Sequence, residues 1–139
     1  MKQMNEIIDR TYFKAKEILY SEKALENNID NTPMEKEVID NLNFTLAKLN
    51  EIRDGYGKPI YITSGYRCNE LNKIVGGVEN SKHKKGLAVD LKWDYELLVY
   101  IIENCKFEKL IREKKGDLLW IHIQFNLDES KNQCKILYF

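Results

Sequence analysis

Apolar residues recur at helical spacing in two stretches of the N-terminal half of the chain. Between residues 5 and 19 they predict a first helix. A second helix is predicted from Thr32 to about Arg53, because Thr32 and Glu35 form a capping-box pattern around a proline at the first helical position. The apolar positions of the first helix are Ile8, Tyr12, Ala15 and Leu19, and those of the second are Val38, Leu42, Leu46 and Leu49. The polar stretch 21–31 is expected to connect the two helices.

The C-terminal half alternates between short β patterns and short helical ones. Strands are predicted at 58–63, 87–92, 109–113, 118–125 and 134–139, and helices at 67–75 and 95–103. Strict alternation places Asp90 opposite the apolar face of its strand, and Trp120, His122 and Gln124 opposite the apolar face of theirs. If these two strands are neighbours, Asp90 and His122 converge above the sheet. The pattern predicts a single α+β domain over residues 1–139.

Composition narrows the function without defining it. The 139 residues include 22 basic and 22 acidic side chains, so the net charge is zero and neither nucleic acid nor an anionic membrane is expected as a partner. The N-terminus lacks a signal-peptide pattern, and no long apolar run follows, so we expect synthesis in the cytoplasm. The three cysteines are widely spaced and are expected to be buried free thiols in a monomeric protein.

The candidate chemistry begins with the two histidines of the chain. His83 and His122, together with Asp90, provide two imidazoles and a carboxylate, a common ligand set for catalytic zinc that leaves one position open for water. Zinc in such a site activates water and polarises a carbonyl, so the natural reaction is amide hydrolysis. Taken alone, each of these residues also has a structural explanation, such as a hydrogen-bonded strand histidine.

Amide hydrolysis requires a general base, and two acids are candidates. Glu113 is favoured, because a tight hairpin at 115–116 could place it on the same strand face as His122. Asp117 lies just before the His122 strand, but its parity in a regular strand points it away. Both could instead belong to an ordinary charged turn.

Four further residues are candidates for substrate binding. Arg67 follows a strand and a turn, where its guanidinium could hold a substrate carboxylate or stabilise the oxyanion that forms during hydrolysis. Ser81 could hydrogen bond to the substrate, and Tyr66 and Trp120 could line the pocket. The competing explanations are a solvated helix start for Arg67, an ordinary loop position for Ser81, and core packing for the two aromatic residues.

The joint pattern resembles the zinc D-Ala-D-Ala carboxypeptidase family, which includes bacterial D,D-carboxypeptidases, D,D-dipeptidases and phage endolysins and shares its fold with the Hedgehog signalling domain. The resemblance is carried by Ser64-Gly-Tyr-Arg67, Val75-Gly-Gly77, Ser81-x-His83-x-x-Gly86-x-Ala88-x-Asp90 and Trp120-x-His122. It implies a small antiparallel sheet with helices packed on one side. It also implies one zinc ion held by His83, Asp90 and His122, and substrate or transition-state contacts from Arg67 and Ser81.

The chain differs from one part of the family in the position of the general base. Dipeptidase-like members have an acid three residues before the last ligand, where this chain has Leu119. Small phage-type members have Leu-Ile-x-Glu before the Trp-x-His strand, as this chain has at 110–113, which supports Glu113. The expected function is hydrolysis of a peptide bond in the stem or cross-link of bacterial peptidoglycan, in phage lysis after the membrane is opened, with a host D,D-carboxypeptidase or dipeptidase as the nearest variant. The alternative is a Hedgehog-like module that keeps zinc and binds a partner without turnover.

Overall fold

A computed structural model describes residues 6–139, and its helices and strands form the α+β arrangement that the sequence predicts. The helices are α1 (Ala15–Leu19), α2 (Glu22–Glu26), α3 (Lys36–Tyr56), α4 (Asn69–Ile74) and α5 (Tyr95–Asn104), with a 3-10 turn at Glu129–Lys131. The strands are β1 (Ile62–Ser64), β2 (Ala88–Lys92), β3 (Lys109–Lys115), β4 (Leu118–Gln124) and β5 (Lys135–Tyr138).

The longest helix, α3, is the main support of the sheet. It forms because apolar residues recur every three or four positions, and this face is buried at Ile39, Leu42, Leu46, Leu49 and Ile52. The helix ends at Gly57, which adopts a left-handed conformation (φ 79°) and donates its N–H to the Arg53 carbonyl.

The predicted start of α3, with Pro33 as the first helical residue, was wrong by three residues. The helix begins at Lys36, and Glu35 precedes it without a side-chain cap. The residues before it are not helical because the segment just upstream is fixed by contacts outside α3. Ile29 is buried in a small apolar cluster with Ala24 and Leu71, and the Asn31 amide donates to two backbone carbonyls.

The predicted N-terminal helix was also largely wrong. Residue 5 of the predicted range 5–19 lies outside the described residues; within 6–19 the only α-helical stretch is Ala15–Leu19, and Ile8 and Tyr12 are exposed. Ile8 and Tyr12 instead donate their backbone N–H groups to asparagine side chains of α3. These hydrogen bonds replace the ones that a helix would have provided, so the segment can stay extended. The 21–31 stretch is not a plain connection either, since it contains α2.

The five strands form one sheet in the order β1-β2-β4-β3-β5. The pairs β1–β2, β2–β4 and β3–β4 are antiparallel, but β5 runs parallel to β3, so the expected antiparallel sheet is in fact mixed. The chain leaves β4, crosses the end of the sheet through the 3-10 turn, and returns beside β3. That crossover, rather than a tight hairpin, makes the parallel pairing possible.

The sheet has one apolar and one polar face, as the alternation predicted. Val89, Leu91, Ile121 and Ile123 are fully buried in the core that the helical residues of α1, α3 and α5 complete. The opposite face presents Asp90 and His122. The cysteines are free, as predicted, but half-buried rather than buried. Among residues 6–139 no helix is both long and apolar enough to cross a membrane.

Candidate metal centre

Asp90 and His122 are placed together by the register of two central strands. They are directly opposite each other in the antiparallel β2–β4 pair, and both side chains point away from the core. Opposite residues on one face of such a pair are close neighbours, and Nδ1 of His122 lies 3.2 Å from Oδ1 of Asp90. The predicted convergence of these two residues is confirmed.

His83 reaches the same point from the loop that precedes β2. Its Nδ1 lies 2.9 Å from the carbonyl oxygen of Gly65, at the end of β1. Because a carbonyl oxygen can only accept, Nδ1 must carry the proton, and Nε2 is left to face Oδ1 of Asp90 at 3.3 Å. His83 therefore presents its Nε2 atom to the centre, whereas His122 presents Nδ1.

The three side chains fit a divalent metal ion. One ligand atom from each of His83, Asp90 and His122 lies within 4.8 Å of the others, and the three residues are 3%, 6% and 8% exposed. The two imidazole nitrogens that face Oδ1 of Asp90 can share a metal ion with it, because each offers a lone pair when its other nitrogen carries the proton. Two nitrogens and one oxygen are a donor set that zinc favours.

Electrostatics in the buried centre favour an ionised Asp90. Burial raises the pKa of its carboxyl, but hydrogen bonds and charge from His122 and His83 outweigh burial and hold the pKa below its usual range. Burial lowers the pKa of His122, while its hydrogen bond to Asp90 and the charge of Asp90 raise it above the ordinary value overall. The centre thus attracts positive charge.

Arg67 lies beside the metal centre and is held by side chains on three sides. Its Nε, Nη1 and Nη2 atoms lie 3.3, 3.3 and 3.4 Å from oxygen atoms of Ser64, Asn72 and Asp90. Burial lowers the pKa of the guanidinium, whereas Asp90 and Glu113 raise it, and an arginine remains charged in either case. The guanidinium has more donors than these contacts use, and Arg67 lines the groove in front of the centre.

The structure brings Glu113 to the centre but not Asp117. Glu113 is paired with Trp120 across β3 and β4, on the sheet face that carries His122. Burial and the charge of Asp90 raise the pKa of Glu113, and the two histidines oppose that rise. Asp117 is exposed in the two-residue turn between the strands.

Of the other predicted substrate contacts, Ser81 and Trp120 line the groove in front of the centre and Tyr66 does not. Ser81 is buried, accepts the backbone N–H of His83 at 3.2 Å, and lines the groove. Trp120 also lines the groove. Its buried indole N–H has no hydrogen bond of standard geometry within residues 6–139, although it interacts with the Glu113 carboxylate. Tyr66 is buried in the main core and lines an adjoining groove beyond Arg67 instead.

Sequence reasoning missed three residues that shape the centre. Gly65 orients His83 through its carbonyl, Asn72 holds Arg67, and Gln124 contacts Nε2 of His122 at 2.7 Å. Two of them had a signal in the sequence: Gly65 lies within the Ser64-Gly-Tyr-Arg67 motif, and Gln124 has the same strand parity as His122.

The groove in front of the three ligands has a volume of about 630 Å³. Its wall includes Arg67, Glu113 and Trp120, so a metal at the centre would be reached from solvent on the side that carries a base candidate and a cation. An open, three-ligand centre of this kind is typical of catalytic rather than structural zinc. The fold and site therefore define an α+β protein with a candidate catalytic metal centre.

The comparison with protein families assigns the chemistry of this centre to a peptidase class. The sequence model of the Peptidase M15 family matches residues 11–124, and the chain belongs to that family. The family and the buried His-Asp-His group together identify a zinc metallopeptidase. No curated protein gives a significant match to the chain.

Proposed function

We propose that this zinc metallopeptidase hydrolyses a peptide bond of bacterial peptidoglycan, as a D-Ala-D-Ala carboxypeptidase or an endolysin-type endopeptidase. The observation that carries the proposal is the shared groove, in which Glu113 and Arg67 face the same space as His83, Asp90 and His122. The choice of peptidoglycan rests on the resemblance of the Ser-x-His-x6-Asp and Trp-x-His motifs to enzymes that cut its stem peptides. A carboxylate-terminated peptide suits a groove with a half-buried cation.

Each residue of the groove has a role in the proposed reaction. A zinc ion held by the three ligands would polarise the scissile carbonyl and make water more acidic. Glu113 accepts a proton from the attacking water and returns it to the leaving amine. Arg67 donates hydrogen bonds to the substrate carboxylate or to the developing oxyanion. Ser81 and Trp120 contact the bound peptide.

The test is hydrolysis of defined substrates by the purified protein. We expect cleavage of peptidoglycan or of a D-Ala-D-Ala peptide, its loss with a chelator, and its return with zinc. Mass spectrometry of the released fragments identifies the bond that is cut. A protein that binds zinc and cleaves none of these peptides would instead favour a silent binding module.

His122→Ala gives a second check on the same proposal. The variant should lose zinc and activity together, because one of three ligands is removed. Gln133→Ala, at an exposed position whose amide donates to the Ser130 carbonyl, is the matched control and should keep both. A His122→Ala protein with normal zinc content would remove His122 from the ligand set.

We also propose the setting: a monomer, made in the cytoplasm, that reaches the wall once a phage has opened the membrane. Its zero net charge supports a partner that is neither nucleic acid nor membrane. Purified protein should lyse permeabilised cells and show no DNA affinity at moderate salt. Lysis of intact cells from outside, or a dimer in solution, would contradict parts of this setting.

A further inference from the structure

A chain of polar side chains runs behind His122, on the side away from Asp90. The Nε2 atom of His122 lies 2.7 Å from Oε1 of Gln124, and Nε2 of Gln124 lies 2.7 Å from Oε1 of Glu108. The other oxygen of Glu108 accepts the Asn126 amide at 2.7 Å. Gln124 is only 7% exposed, so its amide depends on these two contacts rather than on water.

The hydrogen-bond polarity of this chain is determined from the Glu108 end. Burial raises the pKa of Glu108, but hydrogen bonds from Asn126 and Gln124 and nearby lysines outweigh it and lower the pKa, so the group is ionised. An ionised carboxylate can only accept, and therefore the NH₂ group of Gln124 must face Glu108. The amide oxygen of Gln124 then faces His122, and because it too can only accept, Nε2 of His122 must be the donor.

We infer that Gln124 and Glu108 are positioning residues that keep the proton of His122 on Nε2, so that its Nδ1 lone pair faces the metal position. Fixing a ligand imidazole through its other nitrogen strengthens metal binding. The inference rests on the proposed function in one respect, because it assumes that zinc binds at this centre.

The two histidines are fixed by different means. His83 donates to a main-chain carbonyl, Gly65, which no side-chain substitution can remove. His122 depends on the side chain of Gln124, which is fixed by that of Glu108. Glu108 is in turn anchored through its backbone N–H, which donates to the Gln124 carbonyl at 2.9 Å, and by Lys82 at 3.9 Å. On the His122 side, a single side-chain substitution can therefore remove the orienting contact without touching a ligand or moving the main chain.

Zinc affinity, measured by competition with a chromophoric chelator, tests the inference without recourse to activity. Gln124→Met keeps a similar volume but removes the acceptor, and it should weaken zinc binding on the order of 10- to 100-fold. Glu108→Gln should weaken it less. An amide at position 108 no longer fixes the orientation of the Gln124 amide, but one of the two orientations still presents the Gln124 oxygen to His122. Gln133→Met, at an exposed position, is the matched control and should bind zinc like the wild type.

The decisive variant exchanges the two groups, combining Glu108→Gln with Gln124→Glu. A carboxylate at position 124 accepts the His122 proton, and an amide at position 108 donates to that carboxylate, so the polarity of the chain is restored. Zinc affinity should return to within a few-fold of the wild type. A role in packing alone would not be rescued, and an exchange variant that binds zinc as weakly as Gln124→Met would overturn the inference.

NMR of the zinc-loaded protein gives a second readout, which is simple because the chain has two histidines. The ¹⁵N-labelled wild type should show His122 with zinc on Nδ1 and a slowly exchanging proton on Nε2. Gln124→Met should lose that slow exchange while the His83 ring proton keeps it. Zinc on Nε2 of His122, or unchanged exchange and affinity in Gln124→Met, would overturn the inference.

The two proposals can fail separately. A wild-type protein that shows this NMR pattern but cleaves no wall peptide contradicts the proposed function and leaves the positioning role intact. A protein that cleaves wall peptide with zinc, but whose Gln124→Met variant binds zinc as tightly as the wild type, contradicts only the positioning role.

Discussion

Arg67 and Asp90 meet at the carboxylate oxygen that neither histidine contacts. Both imidazoles face Oδ1 of Asp90, at 3.2 and 3.3 Å, whereas Nη2 of Arg67 lies 3.4 Å from Oδ2. One carboxylate thus joins the metal centre to the cation in the groove. The division explains how Arg67 can lie beside a metal site without competing for the ligand atom.

Arg67→Lys should separate charge from geometry. A lysine keeps the positive charge but cannot contact Ser64, Asn72 and Asp90 at once, because its ammonium is a single point on a flexible chain. We expect zinc content to stay normal and kcat/KM on a wall peptide to fall on the order of tenfold or more. Arg53→Lys, on α3 away from the groove, controls for the chemical change. Wild-type kinetics in Arg67→Lys would show that a positive charge suffices at this position and that the guanidinium geometry is not needed.

Glu113→Gln should leave zinc bound while reducing turnover on the order of a hundredfold or more, because the amide cannot accept the proton of water. The measurement is kcat together with metal content. Asp117→Asn, in the exposed turn of the same hairpin, is the matched control and should retain activity. If Asp117→Asn lost turnover instead, the assignment of the base would be wrong.

The raised pKa of Glu113 predicts a pH-dependent stability in the metal-free protein. Burial, then the charge of Asp90, raises this pKa above its ordinary value of 4.5. A group that holds its proton more tightly in the native state makes the free energy of unfolding fall as pH rises between its unfolded and native pKa values. Below that window the penalty is absent.

Urea unfolding of metal-free wild type and Glu113→Gln at a series of pH values checks this linkage. The variant should gain stability relative to the wild type as pH rises through the window, and the difference should then level off. Asp117→Asn again provides the comparison for loss of an exposed acid. A stability difference that does not vary with pH would contradict the prediction.

Gly65→Ala should affect both the fold and the metal. A Cβ at this position would lie 2.1 Å from the backbone oxygen of Ile18 on α1, so the main chain must move, and the Gly65 carbonyl that orients His83 moves with it. We expect a destabilisation of about 1–3 kcal/mol and weaker zinc binding. Gly57→Ala, strained by its left-handed φ but remote from the centre, should lose stability and keep zinc affinity.

The site face of the sheet was predictable because strand alternation is a local property. The parities of Asp90, Trp120 and His122 follow from their own strands, and the register of β2 with β4 then brings two ligands together. The Glu108–Gln124 contact was not predictable, because it depends on the register of β3 with β4, which the sequence does not specify.

The failures in the fold have the same origin in tertiary contacts. The chain around Ile8 and Tyr12 has a helical apolar pattern. It is nevertheless extended, because asparagine side chains of α3 accept its backbone N–H groups. The parallel pairing of β5 depends on a crossover path, and hydrophobic periodicity carries no information about strand direction.

The apolar side of the sheet is complete without any ion, since its residues are buried against α1, α3 and α5 while the ligands belong to the other side. Removal of the metal should therefore abolish activity and leave the protein folded, in contrast to small zinc-dependent domains that unfold in a chelator. Inactivation of this kind is reversible, because the metal-free protein stays folded and can bind another ion.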